Sequence, residues 1–236
     1  MKSVILAPYG GIGTALSRRL AAAGHELLLI GRNGDKLAAL GAELNAQHVV
    51  TDLTNLEAVE AAVAAFGPVD ALANCAGSIL LKPAHITTEA EFQQTLDTNL
   101  KTAFIGLRAA VKNMPAGGSV VLVSTAAARL GYANHEAIAA AKAGVIGLAL
   151  SAAATYAPRN IRVNCVAPGL VDTPLASRIT GNELALKAST AMHALGRIGK
   201  PGDVAAMIAF LMDPANSWIT GQVFGVDGGL GTLRAK

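Results

Sequence analysis

Short continuous apolar runs alternate along this chain with stretches in which apolar positions recur at helical spacing. Residues 4–7 predict a first strand, followed by a helical pattern over 12–23 that Gly24 ends. A strand over 26–30 precedes a helix near 35–44, and one over 48–51 precedes a helix near 56–66, with Asp52 or Thr54 as candidate N-cap. Residues 69–73 predict a fourth strand, 89–112 a long helix and 119–124 a fifth strand. A second long helix over 136–156 stops before Pro158, and a sixth strand over 161–166 follows. A helix over 204–212 and a seventh strand over 222–226 complete the pattern.

Alternation of this kind predicts parallel strands joined by right-handed crossovers, hence a doubly wound α/β sheet. The strands are nearly all apolar, as expected where helices cover both faces of the sheet. Neither linker nor repeat interrupts the pattern, so residues 1–236 read as a single domain. The one extended irregular stretch, 172–197, is a candidate substrate lid.

A chain of 236 residues with 52% hydrophobic and 15% charged residues describes one large, well-buried domain. So few charges favour self-association. The net charge is +3, but the basic residues are scattered and Arg18-Arg19 is the only adjacent pair, which argues against nucleic acid as a partner. Met1-Lys2-Ser3 runs directly into the first strand with no secretory signal pattern, and no apolar run approaches the roughly 18 residues of a membrane span. Cys75 and Cys165 read as free thiols at strand ends, and the five histidines show no metal-ligand spacing. These features predict a cytoplasmic protein without a metal or a membrane partner.

Several motifs carry candidate chemistry. The first strand turns into Ala7-Pro8-Tyr9-Gly10-Gly11-Ile12-Gly13, and Gly31-Arg32-Asn33 ends the second strand. Asp52-Leu53, Asn74-Cys75-Ala76-Gly77, Asn99, Pro168-Gly169 and Val171-Asp172-Thr173-Pro174 follow. Glycines at a strand-to-helix turn let a diphosphate reach backbone N–H groups where the helix dipole favours anions. An arginine after the second strand can pair with a 2′-phosphate, although it reads equally as a surface residue that begins a helix. In this order the motifs resemble the short-chain dehydrogenase/reductase family across nearly the whole chain.

The resemblance implies a Rossmann-like sheet of about seven strands in the order 3-2-1-4-5-6-7, and a dinucleotide held by Gly11, Ile12, Gly13, Asp52, Leu53, Asn74, Ala76, Gly77, Lys142, Pro168, Gly169 and Thr173. Arg32 points to NADP(H) rather than NAD(H). Two departures weaken the loop. Ala7 stands at the family's first glycine, and Pro8 removes a donor and biases Ala7 toward extended backbone, while Tyr9 covers part of the site. The resemblance also implies a homodimer or homotetramer, paired through the two long helices.

The family's catalytic set has a Ser or Thr thirteen residues before a Tyr that lies four before a Lys. Thr125 and Lys142 occupy the outer positions here, and Ile138 stands where the phenol is expected. Isoleucine can neither give nor take a proton. His135 shares a helical stripe with 138 and 142, and imidazole suits proton exchange near neutrality. It is a surrogate acid or, with Asn134, a helix cap. Tyr132 is a second candidate, or a wall of the site.

Two functions follow. One is an NADP(H)-dependent oxidoreductase that interconverts a carbonyl and a hydroxyl on a small molecule, with Thr125, Lys142, Asn99 and His135 as its catalytic set. The other is a non-catalytic dinucleotide-binding paralogue acting as sensor or partner subunit.

Overall fold

A computed structural model of the protein describes residues 1–233. The strands are β1 (Lys2–Leu6), β2 (Glu26–Gly31), β3 (Gln47–Val50), β4 (Ala71–Asn74), β5 (Gly118–Val123), β6 (Ile161–Pro168) and β7 (Val223–Val226). They form one seven-stranded sheet in the order β3-β2-β1-β4-β5-β6-β7, as the sequence predicts. Every pairing is parallel, including that of β6 with β7.

Alternate residues of each strand face opposite sides of the sheet. Val4, Leu6, Leu28, Ile30, Leu72, Val120 and Leu122 build one core. That core also takes apolar residues of α3 (Leu56–Phe66), α5 (Thr102–Lys112) and α6 (Glu136–Tyr156). Ile5, Leu27, Leu29, Ala71, Ala73, Val121 and Val166 build the other, under α1 (Gly11–Ala22), α2 (Gly34–Leu44) and α9 (Pro201–Met212). All eight residues of β6 are buried, although Arg162 and Asn164 interrupt its apolar run; Arg162 donates to Ile219 O and Asp213 O, and Asn164 Nδ2 donates to Ile219 O.

Four expectations change. The predicted helix over 89–112 is broken into α4 (Glu89–Leu96), a π turn at Asp97–Lys101, and α5. Side chains compete for carbonyls there: Asn99 Nδ2 donates to Thr95 O (2.9 Å) and Thr102 Oγ1 to Thr98 O (2.8 Å). The N-cap of α3 is Asn55, whose Oδ1 accepts from Ala58 N–H, and neither Asp52 nor Thr54 fills that position. Much of the stretch 172–197 is helical, with α7 (Ser177–Thr180) and α8 (Glu183–Met192). A bridge between Val171 and Gly199 ties its two ends together.

Finally, one helix, Glu136–Arg159, is long and apolar enough to cross a membrane by length and composition. It is a core helix of this domain, with Ala137, Ile138, Ala141, Val145, Ala149, Ala152 and Ala153 buried along it. Small alanines let it lie close to the sheet, and both faces stay apolar because the outer one also carries few charges.

Candidate active site

The strand order reverses at β1, whose neighbours are β2 and β4, and the carboxyl ends of these strands open a crevice at that switch point. The chain leaves β1 through Ala7, whose N–H donates to Ile30 O (2.8 Å) and extends the ladder by one residue. Ala7 is not extended, contrary to the expectation from Pro8; its φ of +55° lies in the left-handed region. The chain must reverse there to enter α1, and Pro8 then crosses over Gly13. A Cβ on Gly13 would stand 2.5 Å from Ala7 O and 2.9 Å from Pro8 Cα. The glycine is therefore required by the loop itself. Among the described residues no side chain caps α1, so its first-turn N–H groups face the crevice without a side-chain partner.

Gly11 meets the late part of the chain. A Cβ there would lie 2.6 Å from Thr173 Cγ2, so Thr173 closes directly on the glycine loop. The Thr173 hydroxyl accepts from Ala176 N–H (3.3 Å) and caps the turn at Pro174–Ala176. Ile12 packs, partly buried, on the core beneath α1. At the end of β2, Arg32 makes no side-chain hydrogen bond or ion pair among the described residues. Asp52 Oδ1 accepts from the N–H and hydroxyl of Thr54, both at 2.9 Å. The Thr54 N–H holds the Asp52 carboxyl below its usual range, and Arg32 adds to the effect. Leu53 turns away into the core.

Beyond β4, Asn74 Oδ1 accepts from Ala76 N–H (3.0 Å) and so shapes the turn into Gly77. A Cβ on Gly77 would meet Asn99 Oδ1 at 3.3 Å and Lys142 Nζ at 3.5 Å. Asn99, Gly77 and Lys142 thus form one cluster, drawn from the π turn, the β4 loop and α6. Ser78 completes it, donating its N–H to Asn99 Oδ1 and accepting from Asn99 Nδ2. No motif pointed to Ser78; its place directly after Gly77 is the only sign of it in the sequence.

Lys142 is buried, and its Nζ donates to Val123 O (2.8 Å) and Ala76 O (3.5 Å). Burial pulls its ammonium down to about 8. Burial likewise pushes the Cys75 thiol up to about 12 and the Cys165 thiol to about 11, so both are protonated neighbours rather than nucleophiles. Ser124, which precedes Thr125, spends its hydroxyl on Lys142 O (2.8 Å) and fixes α6 to the end of β5.

A cavity of about 300 Å³ opens beside this cluster, walled by Thr125, Tyr132, His135, Ile138, Leu170 and Met192 among others. None of its described lining residues is charged. The Thr125 hydroxyl accepts from Ala127 N–H (3.3 Å). His135 is the N-cap residue of α6 but makes no side-chain cap; its Nδ1–H donates to Ala133 O (2.8 Å), leaving Nε2 unbonded among the described residues. Tyr132 lies 5.5 Å away, ring to ring, and its buried hydroxyl has no hydrogen-bond partner among the described residues. Ile138 is 5% exposed and presents only hydrocarbon.

Pro168 and Gly169 form the far wall. A Cβ on Gly169 would lie 2.6 Å from His193 Nε2. His193 holds this wall in place. Its Nδ1–H donates to Ser189 O (2.6 Å) and its Nε2 accepts from Leu170 N–H (3.2 Å), pinning the helical segment to the end of β6.

The crevice suits a dinucleotide: three glycines have no room for a side chain, the α1 N-terminus is uncapped, and an ammonium and a free guanidinium flank it.

Comparison with known proteins agrees with this geometry. A family model described as enoyl-(acyl carrier protein) reductase matches residues 7–231. A cis-4-hydroxycyclohexanecarboxylate dehydrogenase of Sinomonas cyclohexanicum is 37% identical, covering 96% of this chain and 95% of its own. A 3-oxoacyl-[acyl-carrier-protein] reductase of Rickettsia bellii is 34% identical over 97% and 95%. Among solved structures, a short-chain dehydrogenase/reductase from Mycobacterium ulcerans superposes with a TM-score of 0.94 at 31% identity, covering 99% and 90%. An actinorhodin polyketide ketoreductase solved with NADPH superposes with a TM-score of 0.92 at 28% identity, covering 98% and 97%.

Proposed function

The chain belongs to the short-chain dehydrogenase/reductase family, oxidoreductases of carbonyl and hydroxyl groups that use NAD(P)(H), and we propose that it uses NADP(H) with an altered catalytic set. The observation that carries this reading is the cluster of Lys142, Asn99 and Gly77 at the switch-point crevice, beside a cavity that contains Thr125. The glycine loop 10–13, Asp52, Asn74, Ala76, Gly77, Pro168, Gly169 and Thr173 hold the dinucleotide, and Arg32 pairs with its 2′-phosphate. When bound, the nicotinamide supplies the hydride.

The chain's own residues do the rest. Lys142 Nζ, released from its weaker contact with Ala76 O, donates to the ribose. Asn99 keeps the π turn open beside it. Thr125 offers its hydroxyl to the substrate oxygen. Residue 138, where the family resemblance places a phenol, is aliphatic, so the proton comes from elsewhere on the cavity wall. His135 is the first candidate because its Nε2 is unbonded, and the unpartnered Tyr132 hydroxyl is the second. The uncharged, apolar lining suits a neutral carbonyl compound or alcohol, because desolvating a carboxylate there would cost several kcal/mol.

Phe104 on α5 and Leu150 on α6 are 49% and 48% exposed on the outer faces of these helices, which supports pairing of copies into a homodimer or homotetramer. Light scattering that gives a stable monomer at micromolar concentration would exclude it.

A second reading is a dinucleotide-binding protein without turnover, and Ile138 favours it. Calorimetric titration with NADPH and NADH, followed by a turnover screen with neutral ketones and alcohols, separates the two. Tight NADPH binding with turnover supports the enzyme, and binding without turnover supports the sensor or partner subunit. Equal affinity for both cofactors, or a preference untouched by Arg32→Ala, would refute the role given to Arg32.

A further inference from the structure

The end of β2 carries a feature that the dinucleotide reading leaves unused. Tyr9, from the glycine loop, reaches across to β2, and its hydroxyl accepts from the N–H groups of Arg32 (2.9 Å) and Asn33 (3.2 Å). Its ring packs against Gly31: a Cβ there would stand 2.6 Å from Tyr9 Cε1 and 3.2 Å from Cζ. Only glycine at 31 admits the ring. Two converging backbone N–H groups are a small anion-binding concavity. This one sits at the start of the eleven-residue helix α2, whose N-cap Asn33 accepts from Lys36 N–H. The Arg32 guanidinium beside it is unpaired among the described residues. Asp35 in the first turn of α2 is the one acid close in sequence, and Asp52 is the acid that Arg32 influences.

A neutral phenol oxygen therefore occupies donors that, with the guanidinium, match a phosphate monoester. We propose that Tyr9 is a built-in occupant of the subsite for the cofactor's 2′-phosphate, and that its displacement sets how strongly the protein discriminates NADPH from NADH. This rests on the assignment of the switch-point crevice to NAD(P)(H). The phosphate must break both phenol hydrogen bonds to reach the two N–H groups. It then regains them as charge-assisted bonds, about twice as strong as neutral ones. NADH has no 2′-phosphate and leaves the phenol in place. Tyr9 thus lowers the affinity for the phosphorylated cofactor selectively, and the loop residues Ala7 and Pro8 set the position from which it reaches.

Calorimetry on the full chain tests this without turnover. Tyr9→Phe keeps the ring but frees both donors. It should tighten NADPH binding about 5- to 10-fold, since each net hydrogen bond is worth roughly a factor of 2–10, and change NADH affinity less than about 2-fold. Adenosine 2′,5′-bisphosphate should gain like NADPH, and ADP should not. Tyr9→Ser, which also removes the ring, should retain the gain and covers the case in which the Phe variant folds poorly. NADPH affinity that falls in Tyr9→Phe would make the phenol a cofactor contact, and affinity unchanged within 2-fold would make it a bystander; either overturns the proposal while leaving the cofactor reading intact. Failure of the wild type and both variants to bind NADPH or NADH would overturn both.

Discussion

Substituting Lys142 with methionine makes the stability difference between variant and wild type depend on pH, because Lys142 is a buried cation with no anion beside it among the described residues. Among the described residues its ammonium is held only by the carbonyls of Val123 and Ala76. Burial lowers it from 10.5 to about 8. The folded state therefore binds fewer protons than the unfolded chain between about pH 8 and 10.5, so stability rises with pH across that window and is flat below it. At 1.36 kcal/mol for each pH unit, burying the lysine costs about 3 kcal/mol at neutral pH relative to pH 10.5. The bond to Val123 O does not change this figure much, because the neutral amine donates it as well. Methionine has a similar reach, no charge and no proton to lose. The test is urea unfolding of wild type and Lys142→Met at half-unit steps from pH 7 to 10.5, at one protein concentration and without cofactor. The advantage of the variant should shrink by about 3 kcal/mol between pH 8 and 10.5. Titration of groups distant from Lys142 cancels in the difference, and the Cys75 and Cys165 thiols, which Lys142 draws down and burial pushes up, stay protonated in the fold over most of this range. A difference constant to within about 0.5 kcal/mol would refute the claim that the site stores this cost. The variant should also lose most of its affinity for NADPH, which links the instability to a function.

Ala7→Gly should stabilise the fold by about 0.5–1 kcal/mol in urea unfolding, because relief of a left-handed alanine, roughly 1–2 kcal/mol, exceeds the roughly 0.4–1 kcal/mol of added unfolded-state entropy. Gly13→Ala should weaken NADPH binding at least about 10-fold by calorimetry, since its Cβ would stand 2.5 Å from Ala7 O and the loop would have to move. If the protein turns over substrate, His135→Ala should lower kcat about 10²-fold, within the range of general acid catalysis, with NADPH affinity unchanged; turnover indifferent to it would pass the role to Tyr132. If it binds without turnover, Ile138→Tyr should produce detectable reductase activity, read as NADPH oxidation with a neutral ketone.

Much of the fold was legible because it rests on patterns that span whole elements. A parallel sheet covered on both faces favours near-continuous apolar strands, and β2 is apolar at every position after Glu26. The glycines were legible for a related reason. Gly13 sits where the backbone leaves no space and Gly77 where the Asn99 and Lys142 side chains crowd it, so their identity is a direct record of geometry. What escaped was decided by single side chains competing for backbone groups. Nothing in the periodicity of 89–112 distinguishes a straight helix from one opened at Asn99, because the break depends on whether amide and hydroxyl groups bond carbonyls or solvent. The N-cap of α3 fell to Asn55 rather than its neighbours for the same reason. His193 belongs to no motif; two backbone partners, which no local pattern records, make it a pin. Tyr9 is the sharpest case. Its phenol finds its donors more than twenty residues away, across the β1–β2 pairing, and no local pattern records that meeting. The same limit applies to Ile138. The chain shows that hydrocarbon stands on the wall of the cavity, but which hydroxyl or imidazole opposite it moves a proton depends on distances to a bound substrate, and these are set by the pocket as a whole rather than by any spacing along α6.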